Sequence, residues 1–197
     1  MSFENFVQHA RRHPNALSSD ERQQLAAGQQ PSALFIGCSD SRVIPSQITG
    51  AAPGTLFELR TAGNVVPEYA PGAASSEMAT IEYAVLQLRV PEIVVCGHSH
   101  CGAVTALTVA GDGLDELPAL RNWLGTDGLT GAVPTEAVRT ESKRHLRAQL
   151  DALRGYPFIR DRIEAGELRL HGWFYEIDSG LVYACPQSED DPDFLPL

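Results

Sequence analysis

Short apolar runs alternate with amphipathic stretches over the first half of the chain. Three runs, at about 33–37, 55–60 and 92–97, are rich in branched and aromatic residues and have the length of buried strands. Helical spacing of apolar positions marks the segments at about 74–89 and 102–110. Because strands that alternate with helices favour a parallel sheet with helical crossovers, the pattern predicts an α/β fold. We expect a central, mostly parallel β-sheet with flanking helices.

The two ends of the chain carry a different pattern. Two polar amphipathic segments, Phe3 to Ala10 and Ser19 to Ala27, predict an N-terminal helical arm within residues 1–30. The last residues, 188–197, are acidic and contain proline, so we expect a mobile tail there. A chain of 197 residues with 43% hydrophobic content can bury a sizeable core, which indicates a single domain over 1–197.

The second half of the chain mixes loops with regular segments. Residues 111–134 are rich in Gly, Asp, Thr and Pro and predict a loop, broken by a brief helix at about 120–124. Charged residues at helical spacing predict a long helix over 135–153. Residues 168–176 and 181–185 read as two strands of a hairpin.

Charge and cysteine usage exclude several classes of partner. The net charge of −10 argues against binding to nucleic acid or to an anionic membrane, since either requires a basic face. No stretch of about 18 apolar residues occurs, and Met1 to Asn5 lacks the features of a signal peptide, so we expect a cytoplasmic protein. Two of the four cysteines, Cys96 and Cys185, lie in strand-like apolar contexts, and no disulfide framework is indicated.

Chemistry-bearing residues follow two of the predicted strands. Cys38 follows the first apolar run, and His98 and Cys101 follow the third, at the sheet edge where ligands gather in open α/β folds. Two thiolates and one imidazole form a three-ligand set for zinc, and three protein ligands leave the open position that catalytic zinc sites keep. Taken singly, each residue also fits a buried thiol or a hydrogen-bonded loop histidine. Together they predict one zinc ion per subunit.

Asp40 and Arg42 lie two residues apart on the loop after Cys38. Zinc lowers the pKa of its bound water to roughly 7, so a hydroxide nucleophile is available at neutral pH. A carboxylate beside arginine stays ionised and can only accept hydrogen bonds, so Asp40 can orient that hydroxide toward an electrophilic carbon. The alternative for this pair is an exposed salt bridge of little energetic weight.

These motifs resemble those of the β-class carbonic anhydrases. Cys38, Asp40 and Arg42 match the family's Cys-x-Asp-x-Arg motif, while His98 and Cys101 match its His-x-x-Cys motif. The similarity extends to three further segments: Gly28–Pro31, Arg60–Asn64 and Ile81–Val85. The resemblance implies a zinc lyase that hydrates carbon dioxide reversibly to bicarbonate and a proton through a zinc-bound hydroxide.

The resemblance also implies a small substrate pocket. It places Gln29, Phe57, Val65 and Tyr83 around carbon dioxide, with the amide of Gln29 as the one donor. Phe57 and Tyr83 fit plain core positions equally well, because both lie in apolar stretches. Gly102, at a predicted helix start, would let a backbone amide approach bicarbonate, or else serves close helix packing.

Members of the family differ in the role of the aspartate. In self-inhibited members it leaves the arginine and becomes the fourth zinc ligand, and such members tend to carry tryptophan three residues before the first zinc cysteine. Here that position is Phe35, and Gln29, Phe57 and Tyr83 match the plant-like members. We therefore expect the open type, in which Asp40 stays paired with Arg42.

The resemblance further implies a homodimer or homotetramer whose N-terminal helices wrap the neighbouring subunit. Phe3, Phe6 and Val7 would be exposed on a monomer, unless they fold back onto their own chain. Two rival functions are a hydrolase of carbonyl sulfide or carbon disulfide on the same scaffold and a non-catalytic, zinc-stabilised binding protein. His100 is either a helper in proton export or a packing or interface residue.

Overall fold

The structure is a computed structural model, and it describes residues 1–108, 114, 116–124, 135–186 and 193–197. The chain divides into two compact units, Met1–Gln30 and Pro31–Leu197. The first unit has the bounds of the predicted N-terminal arm, and the single domain over 1–197 stays a prediction. Among the described residues, no helix is both long enough and apolar enough to cross a membrane.

The first unit consists of two helices and a 3₁₀ turn: α1 (Phe3–Arg12), the turn His13–Asn15 and α2 (Ser19–Ala26). Ser18 begins α2 with a capping box. Its Oγ accepts a hydrogen bond from the Glu21 amide at 3.2 Å, and the Glu21 carboxylate accepts from the Ser18 amide at 2.7 Å. Both predicted helices are therefore present, and the start of α2 is specified locally by its own sequence.

The second unit contains a six-stranded sheet with helices. The strands are β1 (Ala33–Cys38), β2 (Leu56–Thr61), β3 (Glu92–His98), β4 (Arg169–Tyr175), β5 (Val182–Ala184) and β6 (Leu195–Pro196). The helices are α3 (Pro45–Thr49), α4 (Ser76–Glu82, continued by a π-helical turn over Tyr83–Gln87), α5 (Gly102–Thr108), α6 (Pro118–Leu124), α7 (Thr135–Arg154) and α8 (Pro157–Glu164). The sequence pattern predicted neither α3 nor α8. Both begin with proline at the first helical position, which fits a helix start.

The strands follow the order β2-β1-β3-β4-β5-β6. The first four are parallel and the last two antiparallel, so the prediction of an α/β fold with a mostly parallel sheet is confirmed. Cys38 lies opposite Thr61 in the register, and His98 lies opposite Tyr175. The carboxyl ends of β1, β2, β3 and β4 therefore meet at one edge of the sheet.

The central strands β1 and β3 are buried on both faces. Leu34, Ile36 and Val95 belong to the main core, together with side chains of α4, α7 and α8. Phe35 lies in a second cluster, where its ring makes an edge-to-face contact with Trp173 at 6.4 Å. Two buried faces explain why these segments read as continuous apolar runs rather than as alternating patterns.

Residues 193–197 fall in the segment predicted as a mobile tail, and two of them, Leu195 and Pro196, form β6 beside β5. Phe194 is buried, and its ring lies 6.1 Å from that of Phe174. Lys143 Nζ lies 4.9 Å from the centroid of Phe194. The described end of the tail therefore packs against the second unit, and the mobility of 188–197 stays a prediction. Residues 188–192 lie outside the described residues, as does most of the predicted loop over 111–134.

Candidate metal centre

The sheet edge brings the three predicted ligands together. Cys38 is the last residue of β1, His98 is the last residue of β3, and Cys101 directly precedes α5. Their ligand atoms all lie within 4.8 Å of one another, and all three residues are buried. The sheet therefore assembles two sulfurs and one imidazole nitrogen from two neighbouring strand ends.

A tight turn, rather than a helix, connects His98 to Cys101. His98 ends a strand, and the chain then reverses at His100, whose φ is +56°. The carbonyl of Cys101 accepts the first bond of α5, from the amide of Thr105 at 2.8 Å. A left-handed turn, rather than a shared helical face, returns Cys101 to His98.

The imidazole of His98 is prepared to bind a cation. Its Nδ1 lies 2.9 Å from the carbonyl oxygen of Ser99. Because a carbonyl can only accept, Nδ1 carries the hydrogen and Nε2 keeps its lone pair. Nε2 is buried and has no hydrogen-bond partner among the described residues. An unpaired buried nitrogen is costly, and a metal ion would satisfy it, so the residues present fit zinc.

The two sulfurs share one proton in the absence of a cation. A hydrogen bond from the Cys101 thiol, working against burial, lowers the pKa of Cys38 to about 4, and the side chain of His98 and then the amides of Asp40 and Gly63 act in the same direction. The same contact raises the pKa of Cys101 well above its usual range. A divalent cation would replace this single proton and stabilise both thiolates.

Asp40 and Arg42 form a bidentate pair beside the ligands. The amide and Nε of Arg42 each donate to Oδ1 of Asp40 at 2.9 Å, and Nη2 donates to Oδ2 at 2.7 Å. These hydrogen bonds hold the pKa of Asp40 well below its usual range. Nη2 also donates to the carbonyl of His100 at 3.0 Å. Arg42 therefore keeps Asp40 ionised and ties the loop after β1 to the loop after β3.

Arg60 holds the first ligand loop from the neighbouring strand. Its guanidinium donates to the carbonyl of Cys38 at 3.0 and 3.2 Å, to that of Asp40 at 2.8 Å and to that of Val43 at 2.7 Å. The sequence indicated Arg60 only as part of a matching motif. Its contacts give that motif a physical reason, because one planar cation binds three carbonyls of the loop.

The second ligand loop is attached to the connection between β4 and β5. The amide of Ser99 donates to Tyr175 O at 3.0 Å, and its hydroxyl accepts from the amide of Ile177 at 2.9 Å. His100 Nε2 lies 2.6 Å from Oδ2 of Asp178. His100 is thus a partner of a neighbouring turn, and its suggested part in proton export stays a prediction.

Two of the predicted pocket residues lie together but away from the ligands. The rings of Phe57 and Tyr83 are 5.9 Å apart. Phe57 pairs with Leu34, four residues before Cys38, which corresponds to about 13 Å along a strand. Tyr83 is 46% exposed. Within one chain, the structure therefore does not bring these two rings beside the candidate metal ligands.

The other predicted pocket residues are placed separately. Val65 lies just beyond the end of β2, where its carbonyl accepts a hydrogen bond from the Thr61 hydroxyl at 3.1 Å. Gly102 is exposed and begins α5. Gln29 belongs to the first unit, so its place in the pocket stays a prediction.

Three supporting residues escaped the sequence analysis, and all of them bind the backbone just after β2. They are Trp123 of α6 and His145 and Gln149 of α7. A signal existed for the last two, since they lie four apart on the predicted long helix, next to the buried Leu146 and Leu150. Polar residues on an apolar helix face require a partner, but the spacing does not say which one.

Comparison with known proteins gives one family. The family model described as "Carbonic anhydrase" matches residues 33–182. The chain is 45% identical over 168 residues to a carbonic anhydrase of Pseudomonas aeruginosa, covering 81% of this chain and 76% of that protein. The solved structure of the β-carbonic anhydrase CcaA has a TM-score of 0.88 and 34% identity, with 98% of each chain covered. A tetrameric β-carbonic anhydrase from Sordaria macrospora has a TM-score of 0.73 and 29% identity, with 94% of this chain and 95% of that chain covered.

Proposed function

Because this chain belongs to the β-class carbonic anhydrases, we propose that it is a zinc enzyme that converts carbon dioxide and water to bicarbonate and a proton, reversibly. One observation carries the proposal for this chain: Cys38, His98 and Cys101 form a buried group in which the histidine nitrogen has no partner among the described residues. Two thiolates and a neutral imidazole suit zinc and leave a fourth position open.

The residues of the site divide the work between binding and orientation. When bound, zinc supplies a Lewis acid that allows water to ionise near neutral pH. Cys38 and Cys101 offset the charge of the ion, and His98 offers the lone pair of Nε2. Asp40, held ionised by Arg42, accepts a hydrogen bond from the attacking water and so directs its lone pair toward carbon.

The contacts of Asp40 support the open type of site. Both of its carboxylate oxygens accept hydrogen bonds from Arg42, so moving Asp40 onto a metal ion would break a bidentate, charge-assisted pair. Phe35, which stands where self-inhibited members tend to carry tryptophan, is fully buried against Trp173. Asp40 therefore stays available as an acceptor.

The substrate pocket requires a second copy of the chain. Phe57 and Tyr83 lie away from the ligands of their own chain, and the ring of Tyr83 is nearly half exposed. A homodimer, or a tetramer such as the relative from Sordaria macrospora, would let one subunit supply this ring pair to the site of another. Light scattering of the purified protein tests this proposal, and a monomer with full activity would contradict it.

The proposed function is tested by metal content and by two rate assays on one preparation. We expect about one zinc ion per wild-type chain, and loss of most of it in Cys38→Ser, because a soft ligand is removed. Cys185→Ser, which changes a buried cysteine outside the site, is the matched control and should keep its zinc. Wild-type hydration of carbon dioxide should exceed hydrolysis of carbonyl sulfide. The reverse order would favour the heterocumulene hydrolase, and full zinc in Cys38→Ser would contradict the ligand set.

A further inference from the structure

The chain makes a corner at Ala62 and Gly63, directly after the end of β2. Side chains from distant parts of the chain bind the backbone of this corner. Trp123 Nε1 donates to the carbonyl of Ala62 at 2.9 Å. His145 Nε2 donates to the next carbonyl, that of Gly63, at 2.8 Å. Buried backbone groups outside a sheet need such partners, and here α6 and α7 provide them. Two consecutive peptide groups are thereby fixed from outside the strand.

Gly63 connects this corner to the candidate metal ligands. Its φ is +73°, and a Cβ there would lie 3.0 Å from the Cβ of Ala103, so the site requires glycine. Ala103 itself packs against Cys38 and Cys101, and the amide of Gly63 helps to lower the pKa of Cys38, as a donor to its sulfur does. The oxygen of the same peptide group is the carbonyl of Ala62, which accepts the hydrogen bond from Trp123. Because a peptide group is planar, fixing its oxygen also fixes the direction of its N–H.

His145 is itself held in one tautomer. Nε2 must carry the hydrogen, since its partner is a carbonyl, and Nδ1 is then an acceptor that lies 3.5 Å from Nε2 of Gln149. The side-chain oxygen of Gln149 accepts from the amide of Val66 at 2.8 Å. Burial lowers the pKa of His145, which favours this neutral form. The imidazole is therefore a fixed donor rather than a mobile one.

We propose that Trp123 and His145 are positioning residues for the metal centre, because their hydrogen bonds to the two carbonyls beside Gly63 hold its amide against the sulfur of Cys38. Hydrogen bonds to a ligating thiolate orient it and adjust the charge that it donates to the metal. A carbonyl that accepts a hydrogen bond also polarises the N–H of its own peptide group. The inference rests on the proposed zinc site, and it assigns a role to two residues outside the matching motifs.

The test compares three variants by cobalt binding and by amide exchange. Trp123→Phe and His145→Phe remove the donors but keep an aromatic ring, whereas His145→Gln keeps an N–H donor. We expect roughly tenfold weaker binding of Co²⁺ in a chelator competition for the two phenylalanine variants, with shifted thiolate-to-cobalt absorption bands. The Gly63 amide should exchange at least about tenfold faster by NMR, because its peptide group is no longer fixed. His145→Gln should stay near the wild type in both measurements.

Tyr156→Phe is the matched control. It removes a hydroxyl that donates to the carbonyl of Pro67 at 2.9 Å, in the same segment but beyond the peptide groups of Gly63. We expect its cobalt affinity and its Gly63 exchange rate to stay within about twofold of the wild type. Equal changes in Tyr156→Phe and Trp123→Phe would mean general loosening of the fold and would overturn the positioning role.

The remaining outcomes separate this inference from the proposed function. Wild-type absorption bands together with unchanged cobalt affinity and Gly63 exchange in Trp123→Phe would overturn the positioning role and leave the zinc site intact. A wild-type protein without thiolate-to-cobalt bands would contradict the zinc site itself, and this inference with it. If His145→Phe does not fold, Trp123→Phe and the exchange rate of Gly63 decide the question alone.

Discussion

Cys38 is supported from two sides by different kinds of chemistry. On its carbonyl side, the guanidinium of Arg60 binds three backbone carbonyls of the loop that runs from Cys38 to Val43. On its sulfur side, the amide of Gly63 is held in place by uncharged donors from α6 and α7. One ligand is thus fixed by a cation from the next strand and by a buried corner held from far along the chain.

The two supports differ in strength and in what each one can tolerate. Arg60 makes charge-assisted hydrogen bonds, which are roughly twice as strong as neutral ones. The corner at Gly63 depends instead on several neutral bonds, each with a net worth of about 0.5–1.5 kcal/mol. We infer that loss of the cation should disturb the ligand loop as a whole. Loss of a single corner bond should be felt mainly at the sulfur.

The largest effect is expected from Arg60→Met, which keeps the length of the side chain but removes the donors. Three carbonyls near the ligand then lose their partner, and zinc affinity should fall by about 10- to 100-fold, as for other partners of metal ligands. Competition with a chromogenic chelator measures the change. Arg160→Met is the control, since its side chain is 58% exposed and lies 3.9 Å from its nearest carboxylate. If both variants bind zinc like the wild type, the cation does not support the loop.

Asp40→Asn tests whether the negative charge of Asp40 contributes to catalysis as well as to the ion pair with Arg42. The amide keeps the shape of the carboxylate, but its NH₂ group cannot accept from Arg42 or from the attacking water. We expect carbon dioxide hydration to fall by about tenfold or more, while zinc content is unchanged. Asp151→Asn, which alters an exposed ion pair on α7, should leave the rate unchanged. An undiminished rate in Asp40→Asn would reduce Asp40 to a surface partner of Arg42.

The same comparison explains what could be predicted from the sequence. Cys38, Asp40 and Arg42 lie within five residues, and apolar runs indicate the strands that carry them, so local pattern and chemistry were enough. The sheet edge that joins Cys38 to His98 follows from the general geometry of parallel strands. These parts of the site depend on short-range order and on one rule of topology.

The corner at Gly63 could not be predicted in the same way. Trp123 and His145 lie 61 and 82 residues from the carbonyls that they bind, and neither forms part of a recognisable motif. Their partners are backbone carbonyls, which every residue has, so the sequence does not indicate which of them are bound. Phe57 and Tyr83 show the opposite case, because the family resemblance named them and one chain alone does not bring them to the ligands.

Gly63→Ala tests the corner at its centre. A side chain at φ +73° costs roughly 1–2 kcal/mol, and the new Cβ would also lie 3.0 Å from that of Ala103. Gly166→Ala is a control for strain alone, since its φ is +70° and nothing lies within 4 Å of the added Cβ. Both variants should unfold at lower denaturant concentration, but only Gly63→Ala should also weaken zinc binding. Equal zinc affinity in the two would show that the amide of Gly63 does not matter to Cys38.

The smallest effect on zinc binding is expected from Tyr156→Phe. This variant separates contacts that stabilise only the fold from contacts that also support the metal site. Tyr156 is fully buried, and its hydroxyl binds the carbonyl of Pro67, four residues beyond Gly63. Loss of this bond should lower the free energy of unfolding by about 1 kcal/mol, or Tm by roughly 2–4 °C for a chain of this length. Zinc affinity should not change, because both carbonyls beside Gly63 keep their donors. A calorimetric scan with a parallel zinc titration measures both quantities. A fall in zinc affinity as large as that of Gly63→Ala would mean that both variants loosen the fold in general, and the corner at Gly63 would then have no specific role in supporting the metal site.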